Sequence, residues 1–272
     1  MTCDVAQLID RAWNDHAADP AGVAARLETQ LPLLSQAPEH AAAFTRLAEH
    51  VLVGHLGDAG AMDRFAAAIA GAGSDDVALA RARLSAALLR GSATAPAQLR
   101  PAAIVGAHGV AACGQASRGD ADAARRLMQS AQVLARESGD ADALKALAAS
   151  HHNLAAQIED GPRSEARDAL MMESATASRS TWAEAGTWVH IERADHMLAL
   201  CALAVGDTAR AVAHAQSCVA ICEANDADAF ERFFAHEALA RAAVAAMRAL
   251  ANQVPGEDRA RCESSLRKVL SS

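Results

Sequence analysis

The dipeptide Gly206-Asp207 stands between two amphipathic stretches and is followed by small residues at helical spacing, Ala211, Ala215 and Cys218. Gly119-Asp120 repeats the device, with Ala124, Met128 and Ala131 behind it, and Gly161-Pro162, followed by Ala166 and Leu170, is a weaker copy. Glycine ends helices in a left-handed turn, and aspartate opens them by accepting from the amides of the first turn. Such punctuation restricts the chain to helices joined by tight connections. The turn glycines 119, 161 and 206 are 42 and 45 residues apart, and the next helix starts expected, Asp140, Glu184 and Asp226, are 44 and 42 apart. Periods of this size describe stacked helical hairpins, none of which buries its apolar face alone.

Composition agrees. The 272 residues are 52% hydrophobic, mostly Ala and Leu, while aromatics make up 3% and Tyr is absent. Ala and Leu favour helices, and the β-branched and aromatic residues that favour strands are scarce. The fold class expected is all-α. A net charge of -8 argues against sequence-independent nucleic-acid binding, which needs a basic face. No stretch approaches 18 charge-free apolar residues, so no membrane contact is expected. Residues 1–5 carry neither a positive n-region nor an apolar h-region, and six cysteines form no dense disulfide framework, so the cytoplasm is the expected location.

Along the chain, Asp4 caps a first helix with Val5, Leu8, Ile9, Ala12 and Trp13 on one stripe, and Asp19-Pro20 opens a second through Val23, Leu27 and Leu31. A longer helix opens at Gln36-Ala37-Pro38-Glu39 and runs through Phe44, Leu47, Ala48, Val51 and Leu52 to Gly57-Asp58. Helices at 62–70 and 77–89 flank a break at 71–75, and a short helical piece fits between Pro96 and Pro101. Regular helices are then expected at 102–118, 121–138, 141–159, 163–178, 184–205, 208–224 and 227–253. A charged final helix at 257–270 has the wet outer face of a terminal cap. The domain expectation is an irregular helical region over 1–100, repeats over 101–254 and a capping helix over 255–272.

His152-Asn153-Leu154-Ala155 resembles the middle of the first helix of a tetratricopeptide repeat, and Leu198-Ala199, Ala202, Gly206-Asp207, Ala211, Ala215 and Cys218 are similar to one whole repeat. Ala111-Ala112, Gly119-Asp120, Ala124, Met128 and Ala131 match its turn and second helix. The spacing exceeds the standard repeat of about 34 residues, as in variants with extended repeats. The usual aromatics and closing prolines are missing. The resemblance implies a superhelical solenoid of antiparallel hairpins with a concave groove lined by the first helices. It implies non-catalytic binding of a protein or peptide there. Residues His152, Asn153, Glu192, His196 and Glu237 are the expected contacts.

Two other readings stay open: a sensor module that binds a small effector or signalling peptide, and a metalloprotein or enzyme. Self-association into a homodimer through an end helix is a further expectation, because solenoid ends expose apolar faces. No cofactor, metal site or catalytic residue is assigned. His214, Cys218 and Cys222 share one helical face but extend over about 12 Å of axial rise, too far for three ligands of one zinc ion. Their expected role is core packing. His50, His55 and the His151-His152 pair lack the Glu of an H-E-x-x-H zinc helix, and His236-Glu237 is followed by Ala240 and Arg241 where the second His would stand. Glu159-Asp160 and Asp75-Asp76 are read as turn carboxylates, and Trp182 and Trp188 as space-filling residues about a helix start near Glu184.

Overall fold

The computed structural model describes residues 5–35, 37–70, 76–91 and 94–271. The Asp4 cap, the break at 71–75 with Asp75, and the opening Gln36 lie outside the described residues. Among those described, all regular structure is helical, and no helix is long and apolar enough to cross a membrane. The chain packs as two units, Met1–Ile158 and Glu159–Ser272.

The first unit opens with α1 (Val5–Asp15) and α2 (Pro20–Gln30), the latter capped by the Asp19 carboxylate, which accepts from the Gly22 amide at 2.9 Å. Short 3-10 turns lead into α3 (Ala41–Ala48). The helical path expected through Leu52 is present but changes pitch, because Glu49–His55 form a π-helical segment. α4 (Ala59–Ile69), α5 (Asp76–Leu89), α6 (Pro101–Ser117), α7 (Ala121–Ser138) and α8 (Ala141–Glu159) follow. Between Pro96 and Pro101 there is only a turn, closed by the Leu99 amide on the Pro96 carbonyl at 3.1 Å. The four residues are too few to repeat an i→i−4 bond before Pro101 resets the chain. Phe44 and Phe65 stack at 5.8 Å inside a core that includes Leu27, Leu47, Met62 and Ile69. Burying each such side chain contributes roughly 1.5–3 kcal/mol.

The second unit holds α9 (Glu165–Ala185), α10 (Trp188–Ala204), α11 (Thr208–Ala224), α12 (Ala229–Gln253) and α13 (Gly256–Ser271). Several boundaries differ from expectation, most of all at the junction of α9 and α10, where α9 runs on to Ala185 instead of ending at 178. Glu184 lies inside α9, and α10 begins four residues later, after Gly186. A side chain at Gly186 would meet the Trp182 ring and carbonyl at 2.8 Å, so the chain breaks where only glycine fits. Gly161-Pro162 is not a copy of the Gly-Asp device. Proline has no amide to return to the preceding helix, and the cap of α9 is Ser164, which accepts from the Arg167 amide at 3.3 Å.

The two true copies are chemically alike. Gly119 (φ 85°) and Gly206 (φ 79°) are left-handed. The Asp120 amide reaches the Gln115 carbonyl at 2.9 Å, and the Asp207 amide reaches Ala202 at 2.9 Å. Each aspartate then caps the next helix, Asp120 from the Ala123 amide at 2.8 Å and Asp207 from Arg210 at 3.1 Å. Gly57-Asp58 does the same before α4, with Ala61 donating at 2.8 Å. The small residues behind Gly206 pack as expected: Ala199, Ala202, Ala211, Ala215, Ala238 and Ala242 form a fully buried seam between α10, α11 and α12. No residue of α13 is buried.

Small residues also bring α6 against the π-helical segment. A Cβ on Gly114 would stand 2.3 Å from the Val53 carbonyl oxygen. Because that neighbour is backbone, it yields only if the segment moves. Gly114→Ala is expected to lower stability by about 1–3 kcal/mol, read as a fall in the thermal midpoint, whereas Gly119→Asn, at an open left-handed turn, is expected to cost less.

Candidate functional site

The second unit places three of the expected contact residues on α10 and α12, and they divide. Glu192 is 1% exposed. It lies inside the unit rather than on a surface a partner reaches, and its Oε1 has no hydrogen-bond partner. Burial, reinforced by the Glu231 carboxylate, pushes its pKa up to about 7. His196 and Glu237 do come together, Nε2 to Oε2 at 3.6 Å, with Arg241 on the other oxygen of Glu237 at 3.2 Å. At that length the His196 contact exceeds a hydrogen bond. Burial outweighs the nearby carboxylate and holds the imidazole pKa below its usual value.

Between them stands a residue that was not among the expected contacts. Asp195, 3% exposed, accepts from Arg179 Nε at 2.9 Å, Ser217 Oγ at 3.0 Å and His214 Nδ1 at 3.0 Å. Burial raises its pKa, but these donors more than offset that and hold the carboxyl below the usual range. It ties α9, α10 and α11 together. One signal in the sequence was available: a carboxylate on the same face as Leu198 and Ala202 points inward and requires a partner. Of the stripe His214, Cys218 and Cys222, the two cysteines pack in the core as expected, whereas His214 is partly exposed and turned to Asp195. Both thiols are buried among Ala227, Ala235 and Trp188, and burial raises both thiol pKa values. Trp182 stacks on His190 at 4.2 Å.

The start of α12 exposes aromatics that are not among the expected contacts. Phe230, Phe233 and Phe234 are 61%, 65% and 39% exposed. Their rings touch, Phe230 to Phe234 at 5.0 Å and Phe233 to Phe234 at 5.3 Å, and Phe234 meets His196 edge-on at 6.3 Å. Helical spacing hid this patch, because a Phe at i and i+4 reads equally well as core.

In the first unit, Asn153 is exposed on α8 and His152 is half-buried beside it. Asn153 lines a cavity of about 400 Å³ together with His50, Arg81, Cys113 and Ser150. His151 is buried, neither ring nitrogen has a hydrogen-bond partner, and burial lowers its pKa to about 4. Around the π-helical segment three half-buried imidazoles gather. His50 and His55 face each other, Nε2 to Nε2 at 3.1 Å. The ring of His16, just beyond α1, lies 4.8 Å from that of His50 and 5.0 Å from that of His55. Trp13, expected on the buried stripe of α1, is instead more than a third exposed and covers the cluster, 5.0 Å from the His50 ring. Burial, then the neighbouring rings, lower His50 to about 3 and His55 to about 4. Beneath them Glu49 is buried, its pKa raised by burial against the opposing pull of Arg81 at 3.4 Å and a hydrogen bond from Ser85.

Compared with protein-family models, curated proteins and solved structures, the chain matches none.

The Glu192 carboxyl gives a pH test. Its ordinary pKa of 4.5 rises to about 7 in the fold, so the native state holds the proton more tightly than the unfolded chain. The stability it contributes is complete below 4.5 and is lost as pH rises through about 7. Glu192→Gln keeps the shape of the protonated form. It is expected to stabilise the protein relative to wild type at pH 8, on the order of 2 kcal/mol, and to leave it unchanged at pH 4, as read by thermal melts across that range.

Proposed function

We propose that the helical hairpins are tetratricopeptide-like and that they bind a protein or peptide partner in the cytoplasm without catalysis. The observation that carries this reading is the aromatic patch of Phe230, Phe233 and Phe234 beside His196, Glu237 and Arg241. Exposed contiguous apolar surface rimmed by charge is the usual composition of a recognition site, with aromatic anchors at its centre. The partner this patch suits presents apolar side chains to the phenyl rings and polar groups to the Glu237 and Arg241 rim. The Gly-Asp turns and the alanine seam support a rigid framework, which lowers the ordering cost of recognition.

A second reading has its own observation. The cavity lined by His50, Arg81 and Asn153 is within the size range of small-ligand sites, which favours the sensor of a small effector. Native mass spectrometry that finds a stoichiometric small molecule lost from Arg81→Gln decides for it.

The primary reading is tested with Phe230→Ser/Phe233→Ser, both at exposed positions. Proteins captured by the wild-type chain should bind the variant roughly tenfold or more weakly, with far-UV circular dichroism unchanged. Equal capture overturns the assignment. A wild-type dimer in sedimentation that becomes monomeric in the variant assigns the patch to a second copy of the chain instead.

A further inference from the structure

We propose that His16, His50 and His55 bind a first-row transition-metal dication of the Zn²⁺ class, a function that goes beyond partner binding and involves none of the aromatic-patch residues invoked for it. Among the described residues these three form the one group of His, Cys, Asp or Glu whose ligand atoms all lie within 4.8 Å of one another.

The π-helical segment creates the pair. On an α-helix, residues five apart point about 140° away from each other, since each step turns 100°. The Leu56 amide instead bonds the Val51 carbonyl at 2.9 Å, an i→i−5 step. Widening the turn brings His50 and His55 onto one face, and such π insertions concentrate at functional sites. In a tetrahedral site with bonds of 2.0–2.1 Å, adjacent nitrogens stand roughly 3.3 Å apart. The 3.1 Å between the two Nε2 atoms is close to that edge.

His16 supplies the third donor in a prepared tautomer. Its Nδ1 lies 2.6 Å from the Trp13 carbonyl oxygen. A carbonyl only accepts, so the proton is on Nδ1 and the lone pair is on Nε2. This hydrogen bond from the far ring nitrogen to a backbone carbonyl is the outer support that metal-ligating histidines characteristically carry. The widest separation of 4.8 Å needs about 1.5 Å of closure to reach a tetrahedral edge. His16 sits in a turn after α1, where a side chain moves without disturbing a helix. Three neutral imidazoles suit zinc, copper, nickel or iron rather than calcium or magnesium, which prefer oxygen. Three protein ligands leave the fourth position to water or an external ligand. Arg81, whose charge acts on His50, is paired with the buried Glu49 at 3.4 Å, which offsets part of that charge.

The test uses the untagged full chain, stripped with a chelator and titrated with Zn²⁺ by calorimetry, and with Co²⁺ by visible absorption. One ion per chain is expected, with the intense d–d bands of four-coordinate cobalt and a rise in the thermal midpoint on adding zinc. His16→Gln and His55→Gln should each weaken binding about tenfold or more. His236→Gln, on the exposed side of α12, and the Phe230/Phe233 variant should bind as wild type does. His16→Gln alters only a turn and keeps the comparison valid if His55→Gln loses helicity. Absence of stoichiometric zinc, or zinc binding that both histidine variants leave unchanged, overturns the assignment.

Discussion

A helix leaves its first four amides and last four carbonyls without internal partners, and a chain made only of helices meets that requirement at every connection. Here one local solution recurs. A glycine in the left-handed region turns the chain, the following amide reaches back to the helix just ended, and an aspartate side chain accepts from the helix about to begin. At Gly57-Asp58, Gly119-Asp120 and Gly206-Asp207 two residues thus satisfy both ends of a connection. Everything that follows, from helix length to the alignment of small residues, depends on these short turns holding neighbours side by side. The Ala199 to Ala242 seam then packs backbones close enough that no large side chain is needed between them.

Close packing of small residues contributes little per residue, and buried charges specify what alanines leave loose. Asp195 gathers donors from α9 and α11 onto α10, and Glu49 joins the π-helical segment to α5 through Arg81 and Ser85. Removing one partner from either group strands a charge where desolvation is costly. Glu192 is the counterexample within the same helix. Without a full set of donors it keeps its proton toward neutrality, which separates it from the surface role its polarity suggests.

The π-helical segment is the element that carries the most and was the least visible. Its lone Gly54 carbonyl is taken by Ser117 at 3.2 Å and Gln157 at 3.0 Å, two residues distant in the chain. A hydrophobic period of 3.6 runs through Leu47, Val51 and Leu52 without a break, so nothing in the local pattern announces the change of pitch. What selects it is tertiary: Gly114 lets α6 close onto Val53, and side chains from α6 and α8 donate to the Gly54 carbonyl. A search for zinc ligands at fixed helical spacing therefore passes over His50 and His55, and has no means of adding His16 from another element.

From the residues alone, the all-helical class, most helix limits after Pro101, the Gly-Asp turns and the burial of Ala211, Ala215 and Cys218 were determined. Each rests on interactions within a few residues of chain, where propensity, capping and period act. The tertiary structure alone decided which donors reach a buried polar group and which imidazoles and phenyl rings meet. Asp195 is buried under three donors, whereas Asn153 stands exposed at the edge of a cavity. Side-chain environment depends on neighbours that the fold supplies from far along the chain, and no local pattern encodes their arrival.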